Sequence, residues 1–113
     1  MKRDIDQLII KEFGKRYVTR SIADISVKEI VLSCHINRTT FYKHFADIYD
    51  VRDEIENRFI DNFKRVISQN IATGEQMSNI SRYFPQIISN NDFYFGILLK
   101  SPDRYHTVAR LSK

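Results

Sequence analysis

Apolar residues recur at every third or fourth position along most of the chain, and this spacing is typical of amphipathic α-helices. The pattern therefore predicts an all-α protein. The predicted helices cover residues 4–19, 27–34, 38–45, 47–73, 76–90, 92–100 and 104–111. Pro85 interrupts the fifth of them, because proline inside a helix either kinks it or starts a new segment.

The first predicted helix carries a single apolar stripe, which consists of Ile5, Leu8, Ile9, Phe13 and Tyr17. We expect this stripe to pack on the two short helices that follow, so that residues 1–46 form a three-helix unit. Gly14 lies inside the helix, where glycine costs about 1 kcal/mol relative to alanine. The glycine therefore weakens the prediction of an unbroken first helix.

Each of the two short helices that follow has a recognisable start. Ser26 is a good N-cap, and Glu29 three residues later completes a capping box. Asn37 is the N-cap of the next helix. Between the two helices, residues 34–36 break the apolar pattern, which predicts a tight turn.

The third predicted helix presents a face without acidic residues. Phe41 and Phe45 are four residues apart and mark its buried side. At about 100° per residue, the remaining polar side chains point outward or flank that side. They are Arg38, Thr39, Thr40, Tyr42, Lys43 and His44. Because the chain has no Asp or Glu between Ile30 and Ala46, this face suits a groove that is lined by phosphates.

Four segments of this region closely resemble the DNA-binding domain of TetR/AcrR-type bacterial transcriptional regulators. They are Val27-Lys28-Glu29-Ile30, Ile36-Asn37-Arg38-Thr39-Thr40-Phe41-Tyr42, His44-Phe45 and Asp47. The Thr-Phe-Tyr-x-His-Phe run at residues 40–45 is much more specific than a helix-turn-helix pattern alone. The resemblance implies a helix-turn-helix DNA-binding domain at residues 1–46. It also implies a long fourth helix that leads into an incomplete C-terminal helical region at residues 47–113.

The resemblance further implies that the second of the two short helices enters the major groove of double-stranded DNA. Base edges are the expected contacts of Lys28, Arg38, Thr39 and Lys43. Phosphates are the expected contacts of Ser26, Thr40, Tyr42 and His44. The basic residues at the end of the first helix, Arg16 and Arg20, either touch the DNA backbone or form a solvated basic face.

Two positions depart from the family pattern. The family has glycine in the turn, where this chain has His35, and we expect a positive φ at that residue. The family also has a lysine that contacts a phosphate, where this chain has Ile48. We therefore expect one phosphate contact fewer per subunit, and a weaker dependence of DNA affinity on salt.

Other partners follow from the resemblance. It implies a homodimer that reads a pseudo-palindromic operator with half-sites about one helical turn apart, ~34–36 Å. It also implies a repressor controlled by a small-molecule effector, whose binding changes the spacing of the two DNA-binding domains through the helix at residues 47–73. Members of the family are usually longer, so residues 47–113 are expected to be only part of the regulatory and dimerisation region.

Composition changes this picture little. The net charge is +4, which supports nucleic-acid binding only together with the motif. An alternative class of function is a helical protein–protein interaction module, which acts through its apolar C-terminal half. Five aromatic residues in that half either line a ligand pocket or belong to the core: Tyr83, Phe84, Phe93, Tyr94 and Phe95.

An enzyme is not expected. The three histidines lack metal-ligand spacing, and the three glycines are too scattered to form a phosphate-binding loop, so we expect neither a metal nor a cofactor. The single cysteine, Cys34, excludes an internal disulfide. No apolar run approaches the ~20 residues of a membrane span, so we expect a cytoplasmic protein.

Overall fold

The structure, a computed structural model, describes residues 2–72 and 92–111. All regular secondary structure in these residues is helical. The helices are α1 (Lys2–Tyr17), α2 (Val27–Cys34), α3 (Arg38–His44), α4 (Ile48–Ala72), α5 (Asp92–Lys100) and α6 (Arg104–Leu111). A 3₁₀ turn, Ile22–Asp24, lies between α1 and α2. The all-α prediction is confirmed for these residues. The predicted helix at 76–90, with Pro85, lies outside them.

Helix α1 is central, because it packs against α2, α3, α4 and α5. Its residues Ile9, Ile10, Phe13 and Tyr17 are fully buried. The predicted apolar stripe is therefore wrong at Leu8, which is 37% exposed, and it omits Ile10. The physical reason is that helices surround α1 on several sides, so the buried arc of α1 is wider than one stripe and is centred elsewhere.

Gly14 does not interrupt α1; it lets α5 approach closely. A Cβ atom at position 14 would lie 2.5 Å from Cδ1 of Ile97 and 3.0 Å from its Cγ1. Ile97 is itself buried, so its side chain has little room to move away. The glycine is thus explained by a packing contact between α1 and α5 that the sequence pattern does not contain.

We expect Gly14→Ala to lower the free energy of unfolding by about 1 kcal/mol, because overpacking at ~2 kcal/mol exceeds the ~1 kcal/mol gained in helix propensity. Ile97→Val removes the Cδ1 atom nearest to the new methyl group. In urea denaturation, the double variant should therefore lose less free energy of unfolding than the sum of the losses in the two single variants. A Gly14→Ala variant that is more stable than wild type would contradict this account.

One buried cluster extends from α1 through α4 to α5. Phe45 and Ile48 lie on either side of the predicted domain boundary, and each is 5% exposed within this cluster. Side chains from both predicted domains therefore share one core. The boundary between residues 46 and 47 stays a prediction.

Helix α6 is joined to α4 through a buried carboxylate. Glu56 of α4 is fully buried, and its oxygens lie within hydrogen-bonding distance of His106 Nδ1 (2.8 Å), Thr107 Oγ1 (2.6 Å) and Arg110 Nη1 (2.9 Å). Thr107 is also fully buried. The bounds of α6 agree with the predicted helix at 104–111.

Candidate nucleic-acid interface

The starts of α2 and α3 are fixed by local hydrogen bonds. Ser26 Oγ accepts the Glu29 N–H at 3.2 Å, while a Glu29 carboxylate oxygen accepts the Ser26 N–H at 2.9 Å. Asn37 Oδ1 accepts the Thr40 N–H at 2.8 Å. The predicted capping box and the predicted N-cap of α3 are both confirmed. These caps set the ends of α2 and α3 from which exposed side chains project.

The turn between α2 and α3 depends on one left-handed residue. His35 has φ 58° and ψ 38°, so the predicted positive φ is confirmed. Its N–H donates to the Leu32 carbonyl, and the Ile36 N–H donates to the Val31 carbonyl at 3.1 Å. This pair of bonds is the Schellman arrangement that ends many helices, usually with glycine at the left-handed position. The turn directs the chain into α3 within three residues.

Helix α3 has one buried and one exposed side. Phe41 is fully buried and Phe45 is 5% exposed, as the pattern predicts. The side chains left at the surface of α3 are Arg38, Thr39, Tyr42 and Lys43, and Thr40 is half-buried. On α2, which packs against α3, Ser26 and Lys28 are exposed. Seven of the eight predicted contact residues therefore keep at least partial access to solvent.

His44 is the residue that the structure does not place with this set. Its Nδ1 lies 2.5 Å from Oδ1 of Asp6 in α1, and its side chain is only 7% exposed. His44 thus joins α3 to α1, and a phosphate has little access to its ring. The sequence pattern placed it on the flank of α3 because nothing local indicates that Asp6, 38 residues earlier, lies there.

Two arginines that the sequence left open are bound within the protein. Arg16 Nε and Arg20 Nη1 donate to Glu29 at 3.0 Å and 2.6 Å. The Arg20 hydrogen bond outweighs the effect of burial and, with the Ser26 and Arg16 bonds, lowers the pKa of Glu29 to about 2. Glu29 therefore offsets one of the two arginine charges, and Arg16 also pairs with Glu12 at 3.3 Å. Ser26 belongs to the same cluster, since its hydroxyl lies 3.3 Å from a Glu29 oxygen.

Three exposed bases differ from these arginines. Lys28, Arg38 and Lys43 have no acidic side chain within 4.0 Å in the part of the chain that the structure describes. By contrast, five other bases are paired with carboxylates: Lys15, Arg16, Arg20, Arg58 and Arg110. The charges on α3 and at the start of α2 are therefore available to an anion.

The amino end of α4 is capped by the side chains of Asp47 and Asp50. Asp47 Oδ1 accepts the Asp50 N–H at 2.8 Å, so Asp47 caps the amino end of this helix. Asp50 in turn accepts the Ala46 N–H. Ile48 is 5% exposed and belongs to the core, so this position offers no side chain to a phosphate.

Other kinds of site find little support in residues 2–72 and 92–111. No group of three or more potential metal ligands occurs among them, and no helix there combines the length and the hydrophobicity that a membrane-spanning segment needs. Of the five aromatic residues predicted to line a pocket or belong to the core, Phe95 packs on Phe59, with 5.8 Å between the ring centroids. Phe93 is 47% exposed, and Tyr83 and Phe84 lie outside the described residues. The nearest cleft, about 490 Å³, is lined mainly by α5.

The arrangement of α2 and α3 is defined by the geometry given above. No protein-family model matches the chain, and no solved structure matches it at a significant level.

Proposed function

We propose that this protein is a DNA-binding transcriptional regulator of the TetR/AcrR type, in which α2 and α3 form a helix-turn-helix and α3 enters the major groove. The observation that carries the proposal is the exposed α3 face, which has unpaired bases and hydroxyl groups and no carboxylate. A groove lined by phosphates attracts such a face, whereas Lys15, Arg16, Arg20, Arg58 and Arg110 are each paired with a carboxylate and attract phosphates less.

The proposed contacts divide by chemistry. Arg38, Thr39 and Lys43 approach base edges, because arginine and lysine donate well to guanine and threonine packs on the thymine methyl group. Lys28 reaches the same groove from α2. Thr40 and Tyr42 donate hydroxyl hydrogens to phosphates, which position the protein without reading sequence. Ser26 is a weaker candidate, since its hydroxyl serves the capping box. His44 is omitted.

In this proposal the protein acts in the cytoplasm as a homodimeric repressor that binds a pseudo-palindrome, with half-sites ~34–36 Å apart. Helix α4 connects the helix-turn-helix to the C-terminal helices. A small molecule that binds those helices would change the spacing of the two DNA-binding domains. The proposal assigns no catalytic step and no cofactor.

A salt titration tests the proposal. Fluorescence anisotropy should show tight binding to a palindrome selected from a random pool, with log K falling linearly as log[salt] rises. For a dimer with about six phosphate contacts, affinity should fall about 10³-fold between 50 and 200 mM salt. An unrelated duplex of equal length is the control. Equal affinity for both duplexes would contradict specific regulation.

A second candidate is a protein–protein interaction module. It is favoured by exposed aromatic residues of α5 and α6, where Phe93 is 47% exposed and Tyr105 is 70% exposed. Apolar burial drives such an association, so added salt would weaken it little. The same titration with a protein partner therefore separates the two candidates.

A further inference from the structure

The turn between α5 and α6 is hydrogen-bonded to the linker between α1 and α2. Asp103 Oδ2 accepts the Ile22 N–H at 2.7 Å. The Ser21 hydroxyl donates to the same carboxylate, whose oxygens lie 3.1 and 3.2 Å from Ser21 Oγ. Ser21 and Asp103 are 82 residues apart in sequence. We call this pair of contacts the linker clasp.

The Asp103 carboxylate is directed to the linker, while the turn between α5 and α6 is closed by the Ser101 side chain. Ser101 Oγ accepts the Asp103 N–H at 2.9 Å, and Ser101 is fully buried. On the other side, Ser21 is the N-cap of the 3₁₀ turn but accepts no hydrogen bond with its own side chain there. Asp103 therefore supplies from the C-terminal helices the acceptor that the linker lacks.

The linker in turn sets the position of the start of α2. Ile22 and Ile25 are each 6% exposed and fix it to the core. Within it, the Ile25 N–H donates to the Ile22 carbonyl at 3.1 Å. The next residue is Ser26, the N-cap of α2, and Lys28 follows in the first turn. A shift of the 3₁₀ turn therefore moves the end of α2 that carries Lys28.

We propose that Asp103 is a positioning residue for the amino end of α2, and that the linker clasp makes DNA affinity depend on the position of the α5–α6 turn. This inference rests on the proposed function. Asp103 touches none of the proposed contact residues, so it acts through Ser21 and Ile22. A ligand or partner that displaces the turn then weakens DNA binding without occupying the DNA-binding face.

The test compares two variants that each remove one carboxylate. Asp61 of α4 is exposed and its side chain forms no hydrogen bond within the described residues, so Asp61→Ala is the matched control. Charge alone predicts slightly tighter DNA binding for both variants. If the clasp positions α2, Asp103→Ala should instead weaken binding to the preferred duplex about tenfold. Asp103→Asn should recover part of this loss, because the amide oxygen still accepts a hydrogen bond.

Amide hydrogen exchange provides a measurement that does not need DNA. In Asp103→Ala, exchange should accelerate at Ile22 and also at Glu29 and Ile30, whose N–H groups donate to Ser26. Exchange in Asp61→Ala should match wild type. If wild type prefers no duplex, the proposed function fails, while exchange at Glu29 and Ile30 still decides whether the clasp positions α2.

Two results would overturn the inference. One is a folded Asp103→Ala variant that binds DNA as Asp61→Ala does. The other is accelerated exchange that stops at Ile22 and does not reach α2. If Asp103→Ala fails to fold at the assay temperature, Ser21→Ala removes one donor of the clasp and should give the same changes at smaller size.

Discussion

Replacing Glu56 by alanine is expected to lower the free energy of unfolding by about 3 kcal/mol. The carboxylate is fully buried and accepts a hydrogen bond from Thr107, which is also fully buried and would be left without this partner. Arg110 and His106 are 33% and 40% exposed at their side chains and can turn to water, so the expected loss is at the lower end for a buried charge pair. Urea denaturation followed by circular dichroism measures it.

Glu54 provides the control on the same helix. It pairs with Arg58 at i, i+4, and its side chain is 40% exposed. Glu54→Ala should therefore change the free energy of unfolding by only about 0.5 kcal/mol. A Glu56→Ala variant as stable as Glu54→Ala would contradict a structural role for the buried carboxylate.

The pH dependence has a definite sign. Burial alone would raise the pKa of Glu56, but the hydrogen bonds from its three partners outweigh burial and hold the pKa below the ordinary 4.5. The carboxylate therefore contributes stability that is complete above pH 4.5 and is lost progressively as pH falls from 4.5 through the lowered pKa. The stability difference between wild type and Glu56→Gln should shrink over that acid range.

Arg38→Ala and Lys43→Ala are each expected to weaken binding to the preferred duplex by ~1–3 kcal/mol, if the proposed base contacts are well formed. Both side chains are exposed and unpaired, so truncation removes little from the folded protein itself. Selection from a random duplex pool should show relaxed preference at particular base pairs, with a different pair affected by each variant. Affinity for unrelated duplexes should change much less.

Lys64→Ala is the charge-matched control, because Lys64 is an exposed base on α4, away from α3. It should leave the preferred sequence unchanged and alter affinity only slightly. If the selected sequences were the same for wild type, Arg38→Ala and Lys43→Ala, these residues could not be the base-reading contacts.

The features that sequence predicted well are those specified by neighbouring residues. The positive φ of His35 is expected from the resemblance, whereas the Ser26–Glu29 capping box and the Asn37 cap each depend on residues three positions apart. Local chemistry of this kind is visible in one sequence. The buried Phe41 and Phe45 follow in the same way from helical spacing.

The features that sequence missed join distant parts of the chain. The His44–Asp6 contact and the Glu29 pairs with two arginines span 9 to 38 residues and carry no periodic signal. The exposure of Leu8 and the role of Gly14 depend on where α5 lies, which the spacing of α1 does not specify. For the proposed DNA-contact residues, helical spacing predicts which side chains are exposed, but it does not predict which of them pair with an acidic residue.

The linker clasp also bears on the order in which the protein is completed during synthesis. The ribosome makes the chain from its amino end, so α1, α2 and α3 emerge well before Asp103 does. Closing a contact across 82 residues is entropically costly and comes late in folding. The amino end of α2 therefore receives its last supporting hydrogen bonds only after the C-terminal turn has docked. A nascent chain shorter than 103 residues would display the basic face before that support exists.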